Sequence, residues 1–260
     1  MFKKLFILSG GAGYEREVSI SSGKSVSETL SESGIPHENI LIDENKVFIY
    51  KDKKMSEEEG LDFLKNENAL VFQLVHGTYG EDGDLVKKLE DRNISYVGSG
   101  SKALGITINK FATEKLLREN NIPTTKSILI KSTEDFSSLD ELSYPAIVKP
   151  NKEGSSVGVA KVNSKEELLS TLEKNLALFD EILVQKCVSG REFSCGVMEI
   201  NGEVVALTPS EVVLDEGMIF DYNAKYFVSG LEVTPAQVDE KLKKRIQSTA
   251  LNTHNATGCK

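Results

Sequence analysis

Lys3-Lys4-Leu5-Phe6-Ile7-Leu8-Ser9-Gly10-Gly11-Ala12-Gly13 is the stretch on which the fold turns. Residues 3–9 read as a buried strand, since a continuous apolar run of strand length suits a strand covered on both faces. The glycines end it. A helical pattern then runs over about 19–32 and is closed by Gly34 and Pro36. The same order recurs. Residues 70–75 are a second apolar run, ending at His76-Gly77, and a helix is expected over 84–92. Residues 94–97 form a short strand before Gly98-Ser99-Gly100. Strands alternating with helices predict a parallel sheet with helices on its faces, and ligands of such sheets bind beyond the carboxyl ends of the strands. Glu15, His76 and Gly98 all follow such ends and are expected to face one crevice.

The remainder has another character. Residues 108–120 look helical, before Pro123. Strands follow at 126–130, 146–149 and 157–162, then a helix at 165–175 and a strand at 181–186, an α+β arrangement. Residues 192–200 and 203–207 flank Asn201-Gly202, a strong hairpin signal. Residues 213–230 carry turn residues without a period, which in a compact protein marks a functional loop. A last helix is expected over 237–255, before Gly258.

Composition narrows the classes. The 260 residues are 39% hydrophobic and 27% charged, ordinary globular usage. No apolar run approaches the ~18 residues that span a bilayer. Leu5-Phe6-Ile7-Leu8 is shorter than the ~7–15-residue core of a secretory signal, so a cytoplasmic protein without membrane association is expected. The formal charge of −9 disfavours nucleic acid as a partner while permitting a local basic pocket for phosphate. Cys187, Cys195 and Cys259 form no CxxC pair, and neither a disulfide frame nor a zinc site is suggested.

The chemistry-bearing stretches each admit two readings. Asn151-Lys152-Glu153-Gly154-Ser155-Ser156-Val157-Gly158, between two strands, is either an ordinary hairpin loop or an anion cradle of backbone amides and hydroxyls. It lacks Walker spacing. Lys149 ends an apolar strand, and Lys110 opens a helix, where the dipole disfavours a cation. Each is a surface lysine unless a phosphate accompanies it. The strand from Glu181 to Val188 has a polar end suited to an adenine edge, with Glu192 placed for ribose hydroxyls, or is simply a core strand with a solvated end. Glu15 suits a substrate ammonium or a helix start. Arg16 stands where GxGxxG needs its third glycine, so a dinucleotide site is disfavoured. His76 is structural or catalytic. Tyr222 to Tyr226 could cap a small polar ligand.

Taken together the motifs resemble the D-alanine–D-alanine ligases of the ATP-grasp superfamily. The matching strings are Gly10-Gly11 with Glu15-Arg16-Glu17-Val18-Ser19, His76-Gly77 with Gly80-Glu81-Asp82-Gly83, and Tyr96-Val97-Gly98-Ser99-Gly100. Lys149-Pro150 with Glu153-Gly154-Ser155-Ser156-Val157-Gly158, then Tyr222-Asn223-Ala224-Lys225-Tyr226, and Gly258-Cys259 complete the series in the family's order. The resemblance implies an α/β fold with a parallel, Rossmann-like unit over 1–100, a small central α+β unit over 101–184 and an incomplete C-terminal α+β unit over 185–260.

It also implies a reaction, in which ATP phosphorylates one D-alanine and a second D-alanine attacks the acyl phosphate, for peptidoglycan precursors. By the same match Lys110, Lys149 and Ser156 bind phosphate, Gln185, Lys186 and Val188 form the adenine strip, and Glu192 takes the ribose. Glu15 holds the first ammonium, and His76 contacts the same substrate. Ser155 and Tyr226 position the second substrate, while Tyr222 and Lys225 close over the site. Gln185 departs from the family's glutamate and Cys187 from a frequent aromatic. Ala224-Lys225-Tyr226 is the pattern of the dipeptide-forming branch rather than of ligases that accept D-lactate.

The family continues past Gly-Cys with residues that supply an oxyanion donor and magnesium ligands. This sequence stops at Lys260, so the expected Mg²⁺ has no ligands assigned, and a fragment or truncated product without ligase activity is expected. The rivals are a nucleotide-binding ATP-grasp fragment without turnover and a ligase for another carboxylate and amine. A homodimer is what the family suggests.

Overall fold

The opening apolar run is a strand between two parallel neighbours. The computed structural model describes residues 3–139, 142–213 and 232–260, and every element and count below refers to these. Two compact units emerge, Met1–Thr107 and Ile108–Gly258.

In the first, β1 (Lys4–Gly10) leads into α1 (Arg16–Glu32), and β2 (His37–Ile42), β3 (Phe48–Tyr50) and β4 (Lys53–Met55) follow. Next come α2 (Glu57–Asn66), β5 (Ala69–Gln73), α3 (Asp84–Asp91), β6 (Ser95–Val97) and α4 (Ser101–Ile108). The sheet order is β4-β3-β2-β1-β5-β6. β1 pairs in parallel with β2 and β5, and β5 with β6, as the alternation predicts. β3 and β4 add an antiparallel edge. Alternation along β1 sorts its side chains. Phe6 and Leu8 enter a buried cluster with Ile40, Phe48, Leu61, Leu64, Val71 and Leu85. Ile7 and Ser9 face α1, whose Gly23 lies so close that a methyl group there would stand 2.8 Å from Ser9 Cβ.

In the second unit, α5 (Lys110–Glu119) precedes β7 (Ser127–Ile130), a 3₁₀ turn (Thr133–Leu139), β8 (Ala146–Pro150), β9 (Ala160–Val162), α6 (Lys165–Leu176) and β10 (Ile182–Lys186). These strands make an antiparallel sheet ordered β7-β10-β8-β9. One face packs Ile130, Ala146, Val148, Ile182 and Val184 with Leu168 and Leu172 of α6. Along β8 the buried positions are Ala146, Val148 and Pro150, so Ile147 and Lys149 belong to the opposite face.

Then come β11 (Glu192–Ser194), β12 (Val197–Ile200), β13 (Glu203–Ala206), β14 (Ser210–Val212), β15 (Glu232–Val233) and α7 (Glu240–Thr257). β12 and β13 form the predicted hairpin, with Asn201 at φ 53° and Gly202 at φ 85°, the left-handed pair that a two-residue turn requires. Asp239 caps α7 by accepting from Leu242 N at 2.7 Å, and Gly258 ends it at φ 72°.

Three sequence expectations need correction. The helix over 108–120 begins only at Lys110, because Asn109 leaves the helical conformation and its Oδ1 accepts from Ala112 N at 2.9 Å as an N-cap, and Ile108 ends a separate helix, α4, that was not anticipated. The strand over 192–200 is two strands in different sheets, broken at Cys195-Gly196, where the partner changes from β14 to β13. The strand over 157–162 begins only at Ala160. Three strands and a helix between 37 and 66 were not anticipated. Residues 214–231, with Tyr222, Lys225 and Tyr226, lie outside the described residues.

Candidate active site

The carboxyl ends of β1 and β5 bring two predicted residues together in the first unit. Glu15 stands as N-cap of α1. A methyl group on Gly77 would come 3.7 Å from Glu15 Oε2, so the loop after β1 runs beside His76-Gly77. His76 Nδ1 lies 3.3 Å from Glu81 Oε1 and its Nε2 3.5 Å from Ser22 Oγ, a ring set between a carboxylate and a hydroxyl. Two residues that the sequence left without a role hold these loops. Buried Ser19 accepts from Gly10 N at 2.8 Å and donates to Leu74 O at 2.6 Å, joining the ends of β1 and β5. Arg16 Nη1 donates to Ile42 O at 3.1 Å, tying the same loop to β2. The string Glu-Arg-x-x-Ser therefore supplies one carboxylate for the crevice and two supports behind it.

The second unit gathers the phosphate candidates. Lys110 Nζ donates to the carbonyls of Pro150 at 3.1 Å and Asn151 at 3.4 Å, and to that of Glu153. Burial, then the neighbouring Lys149 charge, push its pKa down to about 8. Lys149 is likewise lowered by burial, against the pull of Glu114 in α5. Glu114 is only 4% exposed and accepts from Ser127 N at 3.0 Å, which fixes its carboxylate under β7. Neither lysine is the solvated surface residue of the alternative reading. Two half-buried cations near one another are costly to hold without an anion.

The glycine-rich loop connects β8 to β9 above them. Ser155 (φ 47°) and Ser156 (φ 58°) both take left-handed backbone, and Ser155 is buried. Gly158 (φ 70°) closes the loop where a methyl group would sit 2.7 Å from Pro150 Cγ and 2.9 Å from Asn175 Oδ1. The strip at the end of β10 and beyond it behaves differently. Gln185 is half-buried, its Oε1 accepting from Ser127 Oγ at 3.2 Å, while Lys186 and Glu192 are exposed and Val188 is 71% exposed. Asn109 and Asn151 were missed as contributors to this region. The signal for Asn109 was legible, an N-capping residue directly before a lysine that opens a helix.

Among the described residues no three His, Cys, Asp or Glu side chains come together as a metal-binding group. The described residues therefore offer no magnesium site of their own.

A parallel α/β unit, followed by an antiparallel sheet whose glycine-rich loop lies by half-buried lysines, defines the class as a ligase of the ATP-grasp type. A family model described as D-ala D-ala ligase C-terminus matches residues 101–260. The D-alanine--D-alanine ligase B of Clostridium perfringens is 33% identical over 258 residues, covering 98% of this chain and 80% of the relative. A D-alanine--D-alanine ligase of Fervidobacterium nodosum is 34% identical over 270 residues, with 98% and 81% covered. The crystal structure of the VanG D-Ala:D-Ser ligase from Enterococcus faecalis superimposes with a TM-score of 0.82 at 27% identity, covering 100% of this chain and 84% of that one. The chain belongs to the D-alanine–D-alanine ligase family.

Proposed function

We propose that the chain joins two D-alanines into D-alanyl-D-alanine at the expense of ATP, serving peptidoglycan precursor synthesis. The observation that carries this reading beyond family membership is the half-buried pair Lys110 and Lys149 beneath the glycine-rich loop. A carboxylate oxygen of the first D-alanine attacks the γ-phosphorus of ATP and ADP departs. The amine nitrogen of the second D-alanine then attacks the acyl carbon, loses a proton and expels phosphate. Phosphoryl transfer depends mainly on positioning and charge neutralisation, which is the work of Lys110 and Lys149.

The loop carrying Ser155 and Ser156 covers the phosphates and keeps water from the acyl phosphate. Gln185, Lys186 and Val188 line the adenine, and Glu192 the ribose. Glu15 holds the ammonium of the first D-alanine, with His76 beside it; Ser155, Tyr222, Lys225 and Tyr226 serve the second substrate and the closing of the site. The reading carries with it residues 1–100 as the amino-acid unit, and 101–184 with 185–260 as the nucleotide-grasping halves. It also carries a magnesium requirement and a cytoplasmic homodimer, as the family suggests. No helix among the described residues is long and apolar enough to cross a membrane.

The test is to incubate the protein with ATP, Mg²⁺ and D-alanine and to measure ADP and dipeptide together. Dipeptide formed in step with ADP supports this reading and overturns the expectation, drawn from the sequence, of a product without ligase activity. Glu15→Gln keeps the shape and removes the charge-assisted contact, so it raises the D-alanine requirement while leaving that for ATP near the wild-type value. Nucleotide binding without ADP release would favour a binding module instead.

A further inference from the structure

We propose that Asn151 is the positioning residue of the phosphate site, the group that holds the Lys110 ammonium in place before nucleotide arrives. The inference rests on the nucleotide site proposed above. Asn151 directly follows Lys149-Pro150 and is 1% exposed. Its amide is saturated. Oδ1 accepts from Phe111 N at 2.9 Å, and Nδ2 donates to Asn109 Oδ1 at 3.0 Å and to Glu181 Oε2 at 2.7 Å. Its backbone works as hard. The N–H donates to Glu181 O at 2.8 Å, and the carbonyl accepts from both Lys110 N at 3.1 Å and Lys110 Nζ at 3.4 Å. One residue thereby locks the first turn of α5, the start of β10 and the exit of β8 to each other.

The Lys110 ammonium is held by the carbonyls of residues 150, 151 and 153. Its position is therefore set by how those peptide groups point, and Asn151 sets how they point. The need is electrostatic. Lys110 and Lys149 repel each other, and with no polyanion present an unconstrained pair would part. Glu181, which receives the Asn151 amide, is itself held by Lys131 at 2.8 Å and faces Lys152 at 3.8 Å. Only a side chain with one acceptor and two donors at this length fits the three partners. An aspartate would turn a carboxylate toward Glu181, and a serine would leave partners unmet.

Titration calorimetry with ADP, on the whole chain, tests this for wild type, Asn151→Asp, Asn151→Ser, Lys149→Ala and the double variant Asn151→Asp with Glu181→Gln. Runs at pH 7.0 and 8.5 in two buffers of different ionisation enthalpy read the protons taken up. Asn151→Asp and Asn151→Ser are expected to weaken ADP by about tenfold or more, the scale set by a charge-assisted contact. They are also expected to diminish proton uptake at pH 8.5, because a released Lys110 titrates closer to an ordinary lysine. The double variant restores the hydrogen bond between 151 and 181 but not the one to Asn109 Oδ1, so it recovers part of the affinity and proton uptake lost in Asn151→Asp. Residue 151 variants that melt like wild type and keep both its ADP affinity and its proton uptake overturn the proposal. So does a double variant that regains stability but neither affinity nor uptake. Lys149→Ala separates the two readings. If it too binds ADP normally, the nucleotide site is misplaced, whereas if it alone binds weakly, only the role of Asn151 falls.

Discussion

Lys149 ends a strand in which every other residue is apolar, and nothing in Ala-Ile-Val-Lys-Pro says which face the lysine takes. The register of β8 against β10 settles it, placing Lys149 opposite the α6 face and in the field of Glu114. On the proposed nucleotide site, removing it removes a charged partner for phosphate. Lys149→Ala is expected to weaken nucleotide binding by ~1.5–3 kcal/mol, the worth of a hydrogen bond to a charged group, and calorimetric affinity checks it. Lys110 gives a second expectation, in pH. Its pKa in the folded protein, about 8, lies below the ordinary 10.5. Its charged form is thus disfavoured by folding below about pH 8, a penalty that lifts as pH rises from 8 toward 10.5. A bound phosphate acts in the opposite direction and restores the proton. Nucleotide binding above pH 8 should therefore take up a proton and lose affinity as pH rises further, which a pH series of titrations reads directly. The residue beside these lysines was the illegible one. An asparagine after Lys-Pro reads as a turn, because its partners at 109, 111 and 181 are brought to it by tertiary structure alone.

Elements whose signal is local were legible. β1, α1 and β5 each carry an apolar run or period and a glycine stop, α3 carries an apolar period opened by Gly83, and Asn201-Gly202 announces its own hairpin. Gly202 stands at φ 85° with nothing within 4 Å of where a side chain would begin, so substitution there meets backbone strain and no clash. Gly202→Ala should cost about 1 kcal/mol, read as a lowered denaturant midpoint with the slope unchanged. The region from 37 to 66 escaped because β3 and β4 are three-residue strands, too short for a period. One cue there was available. Ser56-Glu57-Glu58-Glu59 is a capping box, and Ser56 N does donate to Glu59 Oε2 at 2.8 Å. The break at Cys195-Gly196 had no such cue. The apolar pattern runs through it, and the exchange of partner strands is decided by Leu207 N bonding to Gly196 O at 2.8 Å.

At the scale of the molecule there are two buried clusters. One is centred on Phe6, Leu8 and Val71 in the first unit, and the other on Val148, Ile182 and Leu172 in the second. The residues proposed to meet nucleotide, 110, 149, 156, 185, 186, 188 and 192, all belong to the second unit. Differential scanning calorimetry is expected to resolve two transitions, of which ADP raises one, since a ligand stabilises what it binds. A single transition shifted as a whole would show the units to be one cooperative body. The net charge of −9 adds a constraint, for the whole molecule repels the polyphosphate that its lysines attract. The Lys110 ammonium, moreover, is already engaged with three carbonyls when the nucleotide arrives. Capture is then an exchange rather than a filling. On the proposed nucleotide site, an incoming phosphate oxygen is expected to displace the Glu153 carbonyl from Lys110, which would set that part of the loop free as a cover. In time this separates arrival from commitment. A rapid-mixing trace is then expected to show one phase that quickens with nucleotide concentration and a later one that does not, and a single concentration-dependent phase would refute the exchange.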